Sequence, residues 1–219
     1  MTYLYVINSY LAPPTAPPPS TVSCGIKPSR IVGGGAVTPY SLPWQVALVR
    51  RGSSRPFCGG TLISERHVLT AAHCIGGTID VVVKEHSVTS SSDGTRHTTC
   101  RSVKHPSYSN VNYDFAILHL NQPVTLGTRA VPACLPTSSF GGNFLAGKQM
   151  TVSGWGALTE GGGSPTVLTS VDVPGVTNAQ CKTNYQEYTT VTNAMLCAGQ
   201  PGGGVDSCQG DSGGKKTIS

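Results

Sequence analysis

Residues 206–214 read Asp-Ser-Cys-Gln-Gly-Asp-Ser-Gly-Gly, and glycines stand on both sides of the serine at position 212. A glycine has no Cβ, so the backbone can turn sharply at that position. The missing side chain also leaves backbone N–H groups of the loop unobstructed, which suits the binding of an oxyanion. Taken alone, the string has a flexible loop as its less favoured alternative, and other parts of the chain help to decide between the two interpretations.

Residues 70–74 place small side chains before His73 and a cysteine after it. A general base has to be held in one position, and a disulfide beside the ring would hold it. We therefore interpret His73 as a candidate base. The other histidines lack such a setting and are interpreted as structural: His67, His86, His97, His105 and His119.

Asp114 opens the apolar run 114–118 and follows Tyr113. A carboxylate in that position is either a strand-end or turn aspartate, or an acceptor that fixes a histidine tautomer and stabilises the imidazolium. His73, Asp114 and Ser212 follow one another in this order along the chain. Chance is a poor explanation of all three segments together.

The composition favours an all-β fold. The chain has 38% hydrophobic and only 11% charged residues, with 27 Gly and 16 Pro, which disfavours long helices and suits short strands in a sandwich or barrel. A stretch rich in Gly, Pro and Ser at 122–147 is interpreted as a linker. The predicted strands on its two sides are 45–49, 60–63, 68–71, 81–83, 98–103 and 116–120, then 149–153, 167–173 and 194–198.

Charge and cysteine usage exclude several classes of function. The net charge is +5 without a dense Lys/Arg run, which indicates a solvated basic surface and no nucleic-acid partner. No run of 18 apolar residues is present, so we expect no membrane span. The eight cysteines form no close CxxC pair, which argues against zinc and favours disulfides in an oxidising compartment. We expect a secreted, extracellular protein, although residues 1–10 are no recognisable signal peptide and 1–23 are expected to be disordered or extended.

The chain resembles the chymotrypsin/trypsin family of serine proteases from about residue 24 to 214. The three segments above carry the resemblance, together with Arg-Ile-Val-Gly-Gly at 30–34, Pro-Trp-Gln-Val at 43–46 and Ser-Gly-Trp-Gly at 153–156. It implies two antiparallel β-barrels with the catalytic cleft between them. The implied division is a Pro-rich N-terminal segment and propeptide (1–30), a first barrel (31–125), a linker (126–146) and an incomplete second barrel (147–219).

The resemblance implies a role for each site residue. Ser212 would be the nucleophile, His73 its base and Asp114 the residue that orients His73. The N–H groups of Gly210 and Ser212 would stabilise the oxyanion. Asp206 would lie at the bottom of the specificity pocket and favour Arg or Lys side chains through charge-assisted bonds.

The resemblance also implies activation by cleavage between Arg30 and Ile31. The new ammonium group of Ile31 would pair with Asp211 and order the oxyanion loop, since a buried carboxylate without a partner is unfavourable. Because Arg30 itself fits an Asp206 pocket, autoactivation is compatible with this scheme.

The cysteines fit the family only in part. The implied disulfides are Cys58–Cys74, Cys24–Cys134 and Cys181–Cys197. Cys208 expects a partner further downstream, and Cys100 has no counterpart in the family. We expect both to be unpaired, with a bond between them as the alternative.

After Gly214 the family pattern breaks, and residues 215–219 end the chain where a buried strand is expected. We therefore expect an incomplete second barrel and an inactive 219-residue chain. The alternative function is a non-catalytic protease homologue that acts as a binding or cofactor protein, but such proteins usually lack a member of the triad.

The expected partners are protein substrates with Arg or Lys at the cleavage site, and protein protease inhibitors. We expect a monomer and no membrane partner, with digestion and a proteolytic cascade both open. No cofactor is expected. Calcium stays open because Glu85 matches the start of a calcium loop in some relatives, but the other carboxylates of 85–95 are not well placed, which favours a surface loop.

Overall fold

The computed structural model describes residues 2–5, 23–25, 35–90, 93–136, 146–157, 163–187, 190–199 and 216–218. Its strands, in chain order, are β1 (Thr2–Tyr5), β2 (Gly35–Ala36), β3 (Gln45–Arg50), β4 (Pro56–Ser64), β5 (His67–Thr70), β6 (Ile79–Val83), β7 (Thr95–Lys104), β8 (Ala116–Leu120), β9 (Gln149–Gly154), β10 (Thr169–Val176), β11 (Met195–Ala198) and β12 (Lys216–Ile218). A 3₁₀ turn spans Ala72–Cys74, and the helix α1 spans Asn178–Tyr185.

Six of these strands close a barrel in the order β3-β4-β5-β8-β7-β6. Buried and less buried residues alternate along β5 and β8, as expected of strands with one face toward a core. Val46, Leu48, Leu62, Val68 and Leu118 are fully buried inside. Burial of these aliphatic side chains is the main stabilising contribution to the barrel.

One buried charge lies in the barrel wall. Asp80 on β6 is 2% exposed, yet its carboxylate has two cationic partners. Arg51 donates to Oδ1 at 3.0 Å, and Arg96 donates to Oδ2 at 3.3 Å. Both arginines reach solvent, so the carboxylate is neutralised without the complete burial of an ion pair.

The second sheet runs β1-β11-β10-β9-β12, and β2 pairs with β10. Its apolar side packs Met150, Val152, Val173 and Leu196 together. Within the described ranges this sheet does not close, so the molecule has one complete barrel and one partial one. The expectation of an all-β fold with an incomplete second barrel is confirmed.

The helix α1 has no counterpart among the sequence predictions. Thr177 caps its first turn by accepting a hydrogen bond from the backbone N–H of Gln180 at 3.1 Å. Asn178 donates to the carbonyl of Met195 at 2.9 Å, so the helix is fixed to β11. Neither helical segment among the described residues has the length and apolar character that a membrane span requires.

Three disulfides join the described residues: Cys24–Cys134, Cys58–Cys74 and Cys181–Cys197. They are the three pairs that the family resemblance implied. Cys100 is exposed and has no disulfide partner in the described part of the chain. Cys208 lies outside that part, so the expectation that both are unpaired stays a prediction.

Hydrogen bonds connect the barrel to the second sheet. Ser153 on β9 donates to the side chain of Gln45 on β3 at 3.0 Å, in a buried position. Thr192 donates to Asn112 at 2.7 Å, close to the segment that carries Asp114. The first contact joins the two sheets directly, and the second joins the segments that lead into β8 and β11.

Candidate active site

His73 lies in the 3₁₀ turn that directly follows β5. Ala71 and Ala72 are buried, so the turn packs close against the barrel. Cys74 is bonded to Cys58 on β4, which ties the end of the turn to the neighbouring strand. The side chain of His73 has 44% of its surface exposed. The backbone of His73 is therefore held in place, while its imidazole is open to a substrate.

Asp114 lies in the chain segment that leads into β8. Tyr113 has a positive φ of 51°, and the N–H of Phe115 donates to the carbonyl of Tyr113 at 2.8 Å. Asp114 is thus the central residue of a three-residue turn. Its carboxylate is 2% exposed and points away from solvent toward the 3₁₀ turn.

The two side chains meet at hydrogen-bond distance. The Nδ1 atom of His73 lies 2.5 Å from Oδ2 of Asp114, and the backbone N–H of His73 donates to Oδ1 at 2.8 Å. A carboxylate only accepts, so this contact assigns a proton to Nδ1. In the neutral ring, Nε2 on the solvent side then carries the lone pair that a general base needs.

His105 supports this arrangement from the side, in a role that the sequence did not predict. Its ring stacks on Tyr113 with centroids 4.7 Å apart and contacts the ring of Phe115 at 4.6 Å. Its backbone N–H donates to the carbonyl of Phe115 at 3.0 Å. Tyr113 and Phe115, the two residues next to Asp114, are therefore held against one imidazole. In the sequence, the signal for this packing is the pair of aromatic residues on either side of Asp114.

The family model described as Trypsin matches residues 31–215 of this chain. The chain belongs to the trypsin family. Its relatives include Trypsin-2 of Salmo salar, 38% identical over 188 residues, which covers 84% of this chain and 78% of that protein. The Clotting factor G beta subunit of Tachypleus tridentatus is 35% identical over 209 residues, with 87% and 67% covered.

A solved structure agrees with these relatives. Neuropsin, a serine protease expressed in the limbic system of mouse brain, matches with a TM-score of 0.75 and 32% identity, over 86% of this chain and 82% of that chain. The present chain is thus a trypsin-like serine protease homologue with the chymotrypsin-like fold, and its class is that of the hydrolases.

The structure brings together two of the trypsin-family site residues, His73 and Asp114. The other site residues lie outside the described ranges, and their roles stay predictions: Ser212 and Gly210 for nucleophile and oxyanion, Asp206 for specificity, and Arg30, Ile31 and Asp211 for activation.

The described residues beside His73 do not form a metal site. Its imidazole and the sulfurs of Cys58 and Cys74 have ligand atoms within 4.8 Å of one another. The two sulfurs are joined in a disulfide, however, so neither is the thiolate that a zinc ion binds.

The described residues of the loop at 85–95 in this trypsin-family chain, 85–90 and 93–95, do not fit a calcium ion. Asp93 uses one carboxylate oxygen for the hydroxyl of Tyr40 at 2.7 Å and the other for the N–H of Ser87 at 2.7 Å. Glu85 has a buried Oε1 without a hydrogen-bond partner, and burial raises the pKa of its carboxyl to about 7. One uncommitted carboxylate, whose protonated form burial favours, is a poor start for the six to eight oxygens that calcium takes.

Proposed function

We propose that this protein is a serine endopeptidase zymogen that cleaves peptide bonds after Arg or Lys through His73, Asp114 and Ser212. The observation that carries the proposal is the double hydrogen bond from His73 to the buried carboxylate of Asp114, at 2.8 and 2.5 Å. Membership of the trypsin family supports the reaction class. The pairing supplies a base with a fixed tautomer, and Ser212 is the residue whose proton it would take.

The chemistry is acyl transfer in two steps. Nε2 of His73 takes the proton from Oγ of Ser212 as that oxygen attacks the scissile carbonyl, and the imidazolium is stabilised by Asp114. The C–N bond then breaks as His73 gives this proton to the leaving amine. In the second step water, activated by His73, cleaves the serine ester and releases the acid. Each N–H donor at Gly210 and Ser212 would lower the barrier by about 3 kcal/mol.

Specificity and activation rest on residues outside the described ranges. Asp206 would pair with the Arg or Lys side chain of the substrate, because a desolvated carboxylate forms strong charge-assisted bonds with a cation. Cleavage after Arg30 would free the α-amino group of Ile31, and its pairing with Asp211 would order the oxyanion loop.

A fluorophosphonate probe tests the catalytic role, because it reacts with a serine that a neighbouring base activates. The protein in its full natural length, cleaved after Arg30, is expected to be labelled at Ser212, as located by peptide mass spectrometry. Ser212→Ala should abolish the label, and the exposed serine variant Ser102→Ala should keep it. No label on the cleaved wild-type protein would favour the non-catalytic homologue instead.

A second assay tests specificity separately from catalysis. Peptide amides that differ only in the residue before the scissile bond should give kcat/KM values at least about 10³-fold higher for Arg and Lys than for Leu or Phe. Labelling at Ser212 combined with a preference for Leu or Phe would refute the Asp206 assignment and leave the serine mechanism intact.

A further inference from the structure

Two histidines face each other on the outer surface of the barrel, away from His73. His67 on β5 lies opposite His119 on β8 in the antiparallel register. The N–H of Leu120 donates to the carbonyl of Arg66 at 2.9 Å, so the adjacent pair His67/His119 is a non-hydrogen-bonded pair. Side chains approach each other most closely in pairs of this kind.

The distance between the two rings matches that of two imidazoles bound to one metal ion. Their centroids are 4.7 Å apart, with an angle of 77° between the ring planes. With an ion about 2.1 Å from one nitrogen of each ring and an N–metal–N angle of about 90–110°, two neighbouring ligand imidazoles have centroids roughly 4.6–5.3 Å apart. Both side chains are only partly buried, so an ion and its remaining water ligands can reach them.

A neighbouring serine fixes one of the rings. Oγ of Ser64 lies 2.6 Å from Nδ1 of His67 and also accepts a hydrogen bond from the N–H of Arg66 at 3.2 Å. When His67 donates from Nδ1 to this oxygen, the lone pair of its Nε2 is free for a metal. Histidine ligands in proteins almost always have such a partner on the other ring nitrogen.

The surroundings limit how tightly an ion is held. Arg66 precedes His67, and Arg101 lies opposite His119 on β7, so two exposed cations flank the pair. The thiol of Cys100 donates to the carbonyl of His119 at 3.5 Å, which directs its sulfur toward the β8 backbone. Because the site has only two protein ligands and lies between two positive charges, we expect a Kd for the metal ion in the micromolar range or higher.

We propose that His67 and His119 form a binding site for a divalent transition-metal ion of the zinc or nickel class. The ion would join β5 to β8 across the outer face of the barrel. β5 leads directly to His73, and β8 begins two residues after Asp114, so the bound ion would stabilise the two strands that carry the active-site pair. The site does not depend on the proposed protease function.

Calorimetric titration of the full chain with ZnCl₂ and with NiCl₂ at pH 7.5 tests the site. Saturable binding is expected, and a hundredfold excess of zinc over Kd should raise Tm by about 5 °C or more. His67→Gln and His119→Gln should each weaken binding more than about tenfold. The matched control His97→Gln, a partly buried histidine on β7, and Cys100→Ser should both keep the wild-type affinity.

Three results would overturn the site. The first is the absence of saturable binding up to about 1 mM zinc, a concentration at which even a weak site would be occupied. The second is an unchanged affinity in both histidine variants, and the third is a loss of binding in Cys100→Ser alone. If a histidine variant fails to fold, NMR on the wild-type chain decides: zinc must shift the ring signals of His67 and His119, and shifts confined to other histidines count against the proposal.

Discussion

Asp114 accepts two hydrogen bonds from His73, one from the backbone N–H at 2.8 Å and one from Nδ1 at 2.5 Å. The carboxylate therefore fixes both the turn that carries the imidazole and the orientation of the ring. The negative charge of Asp114 can be removed without a change in the shape of its side chain, because asparagine has nearly the same shape and no charge.

Asp114→Asn keeps the shape of the side chain but replaces an acceptor by an amide that can donate. The amide N–H₂ favours the tautomer of His73 that lacks a proton on Nδ1, so Nε2 can no longer act as a base. We expect kcat of the activated protein to fall about 10⁴-fold, the size that a wrong histidine tautomer produces in proteases of this class. Steady-state hydrolysis of an arginyl amide measures it.

The control for this change is Asp172→Asn, at a partly buried carboxylate that accepts a hydrogen bond from Thr151. Its kcat should equal that of the wild type. A kcat for Asp114→Asn within about tenfold of wild type would mean that another group orients His73.

His105→Ala should reduce kcat about tenfold with little change in KM, because the residues on both sides of Asp114 lose the ring against which they pack. His105→Phe preserves an aromatic ring at this position and should restore most of the lost kcat. Equal losses in kcat for the alanine and phenylalanine variants would exclude ring packing as the cause. A change confined to Tm would make His105 a stability residue only.

Gly60→Ala should destabilise the barrel by about 1–3 kcal/mol through overpacking. A Cβ at Gly60 would lie 2.8 Å from a methyl carbon of Val68 and 3.0 Å from atoms of Leu48 and Val46, all fully buried. Gly127→Ala is the control, since a Cβ there meets nothing within 4 Å. Urea unfolding of both variants measures the difference, and equal midpoints would show that the interior has room for the methyl group.

Glu85→Gln should change how stability depends on pH. Burial raises the pKa of Glu85 to about 7, so the folded chain binds this proton more tightly than the unfolded chain. The stabilisation is complete below the unfolded pKa of about 4.5 and is lost as the pH rises through about 7.

The Gln variant should therefore match the wild type at pH 4 and exceed its stability by about 1 kcal/mol at pH 8, a value reduced for the partial exposure of Glu85. Glu65→Gln, at an exposed carboxylate, is the matched control for the change from Glu to Gln. A Gln variant that loses stability relative to wild type at pH 8 would show that the charged form is the favoured one.

Replacing Cys58 and Cys74 together by alanine should lower the free energy of unfolding by about 2–4 kcal/mol. The bridge ties the turn of His73 to β4, so kcat should fall as well, because the imidazole gains freedom. Cys100→Ala is the matched control, since this cysteine has no disulfide partner among the described residues. Loss of stability in the control but not in the double variant would contradict the assignment.

The barrel strands were predicted well where aliphatic residues mark them. β3, β5 and β8 lie within one or two residues of the predicted runs 45–49, 68–71 and 116–120, because short aliphatic runs, continuously buried in β3 and alternately buried in β5 and β8, are a local signal. β7 extends to Thr95–Lys104, beyond the predicted 98–103, since its residues are mostly exposed and carry no such pattern. The helix α1 was missed because contacts with distant residues, including Met195, hold it in place.

In the candidate site, too, the features with a local sequence signal were predicted and those that depend on distant contacts were not. His73 and Asp114 were predicted because each lies in a short segment with its own chemical character. The packing of His105 on Tyr113 and the pairing of His67 with His119 were not predicted. Strand register and chain turns bring these rings together, and the sequence signal, where there is one, is limited to the aromatic residues on either side of Asp114.

The Cys24–Cys134 bridge joins two residues with a sequence separation of 110 and closes the chain between them into a covalent ring. Hydrolysis of any one peptide bond within that ring releases no fragment, and the mass of the intact molecule rises by a single water. A cut after Arg30 falls inside the ring. Electrophoresis without a reductant would therefore not distinguish the cut from the uncut molecule by mass, and only reduction would separate the two polypeptides.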